Sequence, residues 1–154
     1  ESATKLLLCP GASQVYYGDE SARSLVIEGT IGDATLRSNM NWEAIANNDK
    51  TKAVLQHWKK LGKFRRNHIS VGAGIHKIIS EKPYIFQRTY STNNYSDAVV
   101  IGLDLKNGKK EISVNSLFSE GTKLVDAYSE VEVTVKNNAV SIDTPFNIVL
   151  LEKK

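Results

Sequence analysis

The chain has one cysteine, Cys9, in 154 residues. That excludes an internal disulfide and a cysteine-rich zinc site. Cys9 follows the apolar run Leu6-Leu7-Leu8 and reads as a small buried hydrophobe rather than a nucleophile. No apolar run approaches the roughly 20 residues that a helix needs to cross a bilayer. The three histidines, His57, His68 and His76, show no ligand spacing, so no metal ligand is assigned. There is no Gly-x-Ser-x-Gly elbow for a nucleophilic serine. Val71-Gly72-Ala73-Gly74 lacks both the preceding strand and the later glycine of a phosphate-cradling loop. The first residues, Glu1-Ser2-Ala3-Thr4, carry no initiator methionine, basic region or signal-like apolar core. Ala3 to Cys9 reads as an element already under way, and the expectation is a fragment or a processed product.

What is present describes a globular chain. Hydrophobic residues make up 41% and charged residues 24%, which is neither disordered nor fibrous. The length suits one average domain or two small pieces. A net charge of +3 demands no anionic partner. The basic residues nevertheless cluster in Lys59-Lys60 and Lys63-Phe64-Arg65-Arg66. A nucleic-acid binder would show steep salt dependence, but this run has no interleaved aromatic platform beyond Phe64. A solvated helix face is the expectation, and no nucleic-acid partner is assigned.

The most specific stretch is Pro10-Gly11-Ala12-Ser13-Gln14-Val15-Tyr16-Tyr17-Gly18-Asp19-Glu20. Pro10-Gly11 breaks the preceding element, Val15-Tyr16-Tyr17 is β-branched and aromatic, and Gly18-Asp19 ends it. It reads as one buried strand between two breakers. Beyond it lies a loop from Ser21 to Asn41. Asn47-Asn48-Asp49 then supplies capping side chains, and Lys50 to Arg66 has helical periodicity. Val54, Leu55, Trp58 and Leu61 fall on one arc, with Lys59, Lys63 and Arg66 opposite. Arg65 lands on the apolar arc, so either the helix has ended there or Arg65 makes an internal ion pair.

From about Gly74 the pattern changes to strands. Tyr84, Phe86, Arg88 and Tyr90 alternate with Ile85, Gln87 and Thr89. Val99-Val100-Ile101 leads to Asn107-Gly108, a strong hairpin signal. Ile112 and Val114 alternate with polar residues, as do Val131, Val133 and Val135. Asn137-Asn138 turns into Val140 and Ile142, and Ile148-Val149-Leu150-Leu151 follows. Six to eight short strands of this kind predict an antiparallel sandwich burying one face of each strand.

Three segments in order resemble the α-amylase family of glycoside hydrolases. Leu6-Leu7-Leu8, Pro10-Gly11, Tyr16-Tyr17, Gly18-Asp19 and Glu20 are similar to that family's last barrel strand, with Ser13 replacing its usual second proline. Asp33, Arg37, Met40 and Trp42 are similar to the loop that follows, with Asn39 in place of a common proline. Trp58, Leu61, Phe64-Arg65-Arg66, His68 and Gly72 resemble the joint to the family's C-terminal domain, with Ile69 where a proline is usual. His68 is therefore a joint residue on this reading.

The resemblance implies an α+β fragment. Residues 1–73 would be the end of a catalytic (β/α)8 barrel, contributing its final strand and helix. Residues 74–154 would be a C-terminal antiparallel β-sandwich domain. It further implies an enzyme of α-glucans such as starch, whose catalytic Asp, Glu and second Asp all precede Glu1. Retaining glycoside hydrolysis needs two carboxyl groups about 5 Å apart, and the adjacent Asp19 and Glu20 point to opposite faces of an extended chain. No catalytic residue is assigned, and this chain alone is expected to be inactive. Arg37 is the substrate-binding candidate, with the alternative that it pairs with Asp33 while Met40 and Trp42 form the loop's packing core. The implied partners are an α-glucan or oligosaccharide and the missing N-terminal part of the barrel. No cofactor is expected in this chain, and calcium is possible upstream. Secretion or a periplasmic location follows from the resemblance alone. The competing reading is a stand-alone carbohydrate-binding sandwich using Tyr84, Tyr90, Tyr95 or Tyr128 to stack on sugar rings.

Overall fold

Val99, Val100 and Ile101 are consecutive and fully buried, as are Val149, Leu150 and Leu151. Neighbours along a strand face opposite sides, so both strands must be covered on both faces. The computed structural model, which describes residues 1–24, 26–115 and 117–154, shows how. Leu25, inside the loop read from 21 to 41, and Ser116 lie outside the described residues. A six-stranded antiparallel sheet has the order β1 (Ile75–Glu81), β2 (Tyr84–Ser91), β3 (Ser96–Leu103), β8 (Val149–Lys153), β5 (Lys123–Asp126), β6 (Glu132–Thr134). A second sheet pairs β4 (Gly108–Ser113) with β7 (Ala139–Thr144).

Two apolar cores lie on the two sides of the large sheet. On one side Ile85, Val100, Val149 and Leu151 meet Ile112, Val140 and Ile142 from the small sheet. On the other, Phe86, Val99, Ile101 and Leu150 meet a layer of helices. Leu7 and Leu8 come from α1 (Ser2–Leu8), Leu61 and Phe64 from α3 (Asp49–Asn67), and Val71 from α4 (Ile69–Ala73). The expectation that each strand buries one face is thus corrected for the central strands, because the helices cover the face a simple sandwich would leave wet. Helix α3 begins where the capping residues place it: Asn48 accepts from the Thr51 N–H at 3.1 Å.

Three further expectations change. Asn107-Gly108 does not close a hairpin between β3 and β4. β3 pairs with β2 and β8, whereas β4 pairs with β7. The chain turns a corner there between sheets, held by the Leu105 N–H donating to Asn147 O at 2.9 Å, with Leu105 buried in the core. Arg65 lies within the helix and makes no ion pair among the described residues. Its guanidinium donates to Leu7 O at 2.8 Å, Cys9 O at 2.7 Å and Gly11 O. These are carbonyls at the C-terminal end of α1, where an unpaired carbonyl favours a cation. Cys9 is exposed rather than buried, because α1 ends at Leu8 and turns Leu7 and Leu8 inward.

His68 stands between the end of α3 and the start of α4. Its Nδ1 lies 2.8 Å from Asp97 Oδ1 on β3 and its Nε2 lies 2.5 Å from Glu152 Oε2 on β8. Asp97 also accepts the Ser70 N–H at 2.9 Å. Burial alone would raise the Asp97 carboxyl, but the hydrogen bonds from His68 and Ser70 outweigh it and hold the group below its ordinary value.

Two outcomes follow. Phe64→Ala removes a fully buried ring from the helix–sheet core and lowers unfolding free energy in urea by about 3–5 kcal/mol. Because the Asp97 pKa is depressed on folding, its contribution is present above the unfolded value of about 3.9 and is lost as pH falls through the lower folded value. Asp97→Asn therefore costs about 1.5–3 kcal/mol at neutral pH, and the gap to wild type narrows in urea titrations below about pH 4.

Candidate functional site

The loop is organised by an arginine that sequence reading missed. Gly18 has φ of 91°, and a Cβ there would come 2.2 Å from Arg23 Nε. Only glycine supplies both the left-handed backbone and the space. Past this glycine runs the buried Arg23 side chain. Its Nε and Nη2 donate to Tyr17 O at 3.2 and 2.9 Å. Nη2 also reaches Leu36 O at 3.0 Å, while Nη1 reaches Ser38 O at 2.8 Å and Ser38 Oγ. The guanidinium Cζ lies 4.1 Å from the Tyr17 ring centroid, a cation–π distance. Arg23 therefore fastens the Tyr17-Gly18 turn to residues 36–38. A guanidinium satisfied by backbone carbonyls leaves no partner residue to read in the sequence; Gly18 was the sole signal.

Other bonds complete the loop. Tyr16 and Tyr17 donate their hydroxyls to Leu36 O at 3.3 Å and Ser38 O at 3.2 Å. Ser21 Oγ donates to Asn41 Oδ1 at 2.7 Å, and Asn41 Nδ2 returns a bond to Ser21 O at 2.9 Å. Glu20 folds back, its Oε2 accepting the Gly18 N–H at 2.9 Å. Asp19 and Glu20 start a 3-10 turn, Asp19–Ser21, rather than following a strand.

Val15-Tyr16-Tyr17 is not a strand in this structure. The three residues pair with no ladder and are 43%, 40% and 42% exposed. A strand needs neighbours for its backbone groups, and no described strand lies beside this one. Nearby, an open cleft of about 730 Å³ separates α1 and α3 from the turn at 19–23, lined by Ala3, Leu6, Ala22, Val54 and Trp58.

Arg37 lies exposed on this loop, after the 3-10 turn Gly32–Leu36. Among the described residues it makes no ion pair with Asp33. Met40 is half-buried, and Trp42, at the start of α2 (Trp42–Asn47), is 69% exposed, so these two do not form a loop core. The guanidinium of Arg37 and the indole of Trp42 are thus left available. The tyrosines of the competing reading are scattered. Tyr128 is 2.7 Å from His57 Nδ1 through its hydroxyl and packs edge-on against Phe146. Tyr84 is bonded to His76, and the Tyr90 and Tyr95 rings lie 6.4 Å apart.

No protein-family model matches the sequence. Over 74 residues, 48% of the chain, it is 42% identical to the periplasmic alpha-amylase of Escherichia coli (strain K12). This chain resembles the C-terminal part of α-amylase-family enzymes. The chain spans 11% of that curated relative's length. Among solved structures, an Anoxybacillus alpha-amylase superposes with a TM-score of 0.64 at 24% identity, covering 98% of this chain and 31% of that one. AmyP in complex with maltose gives 0.67 at 17%, covering 98% and 33%. The acarbose complex of the Geobacillus thermoleovorans alpha-amylase gives 0.64 at 18%, covering 99% and 32%. At these identities the superpositions establish the fold: an α+β, antiparallel sheet-rich unit like the C-terminal region of α-amylases.

Gly18→Ala forces Arg23 out of its seat and destabilises the chain by about 1–3 kcal/mol. Limited proteolysis between residues 24 and 38 accelerates correspondingly. Arg37→Ala stays within about 0.5 kcal/mol of wild type, as a surface change should.

Proposed function

We propose that this chain is the C-terminal portion of an α-amylase-type glycoside hydrolase acting on starch-like α-glucans. Residues 1–73 end the catalytic barrel and 74–154 form the sandwich that seals it. The observation that carries this reading is the 42% identity over 74 residues to a periplasmic alpha-amylase. The half-exposed Val15-Tyr16-Tyr17 supports it, because a β-branched and aromatic run without strand partners fits a sheet completed by other polypeptide.

On this reading the chain supplies one rim of the cleft and none of the catalytic acids. Asp19 and Glu20 are adjacent, and Glu20 is turned onto the Gly18 N–H. The nucleophile, the acid/base and the stabilising carboxylate belong upstream, as does any calcium. Arg37, exposed as Trp42 is, is the proposed sugar contact, since a guanidinium donates to sugar hydroxyls. The relative bears the word periplasmic in its name, and a periplasmic or secreted location is proposed with it. No helix among the described residues is long and apolar enough to cross a membrane. The exposed basic residues of α3, Lys59, Lys63 and Arg66, fit a solvated face.

Two measurements test the proposal. The coding sequence upstream of Glu1 should encode a barrel with an Asp, a Glu and a second Asp at successive strand ends. The 154-residue chain, verified by mass, should release no reducing sugar from starch, while the polypeptide including that barrel should. Activity in the verified short chain would refute the assignment of catalysis to upstream residues. In the active polypeptide, Arg37→Ala lowers kcat/KM by about tenfold, the loss of one charged hydrogen bond.

A further inference from the structure

Arg88, on β2, is 3% exposed. Its Nε and Nη1 are buried without a hydrogen-bond partner among the described residues. A buried, unpaired guanidinium is costly, because it has lost its hydration and gained no counter-charge. The ionisable groups that reach it are Tyr84, Cys9, His76 and Arg65; none is a carboxylate. Arg65 carries the same charge and is already engaged by the carbonyls ending α1. The Phe86 ring, 5.5 Å from the Arg88 Cζ, offers a π-face and no anion.

The surroundings indicate where a partner would come from. In register, Arg88 stands opposite His76 and Phe86 opposite Ile78. Residues two apart on a strand share a face, so all four lie on the helix side of the sheet, where Phe86 enters the helix–sheet core. The helices do not cover that side at edge strand β1: Ile78 is 48% exposed and His76 is exposed as well. Cys9, at the end of α1, is also exposed. An unpaired guanidinium thus lies one strand in from the exposed Ile78 of edge strand β1.

We propose that Arg88 is a socket for an acidic side chain of the barrel portion, which docks beside α1 and covers the helix-side face of β1. This rests on the reading of the chain as the end of a longer α-amylase-type enzyme. The occupant is polypeptide rather than a small carboxylate because the flanking surface is apolar. An acidic side chain fits Arg88 because a carboxylate accepts two parallel charge-assisted hydrogen bonds from a guanidinium fork.

The test compares two polypeptides, the 154-residue chain and the enzyme that includes the upstream barrel. Arg88→Met keeps the length and removes the charge. It should raise the melting temperature of the short chain by about 3 °C or more and lower that of the longer enzyme by a similar amount. A fall in both overturns the socket, because Arg88 would then have its partner within this chain. A rise in both overturns it while leaving the barrel reading intact. A coding sequence with no upstream barrel overturns both. Should Arg88→Met not fold, a surface reporter decides: Ile78→Cys in a Cys9→Ser background should be alkylated by iodoacetamide at least tenfold more slowly in the longer enzyme. Equal rates in the two polypeptides overturn the proposal.

Discussion

The two-sided burial of β3 and β8 is the constraint on which the rest of the structure depends. Val99, Val100 and Ile101 cannot all be dry unless something covers each face of the sheet. The small sheet of β4 and β7 covers one side, and α1, α3 and α4 cover the other. A layer of helices that precedes the strands and a small sheet whose strands fall between β3 and β8 in the chain therefore share a single central sheet. Burial of this kind is non-directional and scales with area, so it brings the layers together without fixing their register. Register comes from polar contacts.

Those polar contacts are few and differ in kind. His68 holds the α3–α4 joint to two strands through carboxylates on β3 and β8. Arg65 holds α1 to α3 through carbonyls. Arg23 holds the loop after Gly18 to residues 36–38, again through carbonyls. In two of the three, an arginine acts as a backbone clamp, a role for which its planar fork suits it better than lysine. Arg88 is the exception. It is as buried as the others are engaged, yet its Nε and Nη1 bond to nothing described.

The same contrast separates finished from unfinished surfaces. On the sandwich side, Ile85, Val100, Val149 and Leu151 meet Ile112, Val140 and Ile142 in one buried core. Val15, Tyr16, Tyr17 and Trp42 present aromatic and β-branched surface that is 40% or more exposed. A free-standing module would be expected to bury such residues or replace them with polar ones. The likeness to α-amylases, which extend well beyond the length of this chain, gives the surface a natural use.

Much of this was legible in the residues. The capped helix read from Lys50 to Arg66 and found over Asp49–Asn67, the change to strands after Gly74 and the antiparallel pairing were written in period and capping. Such features are set by neighbours a few positions apart, which a sequence displays directly. What only the tertiary structure decided depends on distant partners. Asn107-Gly108 permits a hairpin, but the choice between a hairpin and a corner lay with Leu105 and the strand that received it. Val15-Tyr16-Tyr17 has strand composition, yet a strand exists only where another backbone pairs with it. Arg23, Arg65 and Arg88 look alike in the sequence. Carbonyls from residues 17–38 and 7–11 gave the first two their roles, and buried nitrogens without a hydrogen-bond partner among the described residues set the third apart.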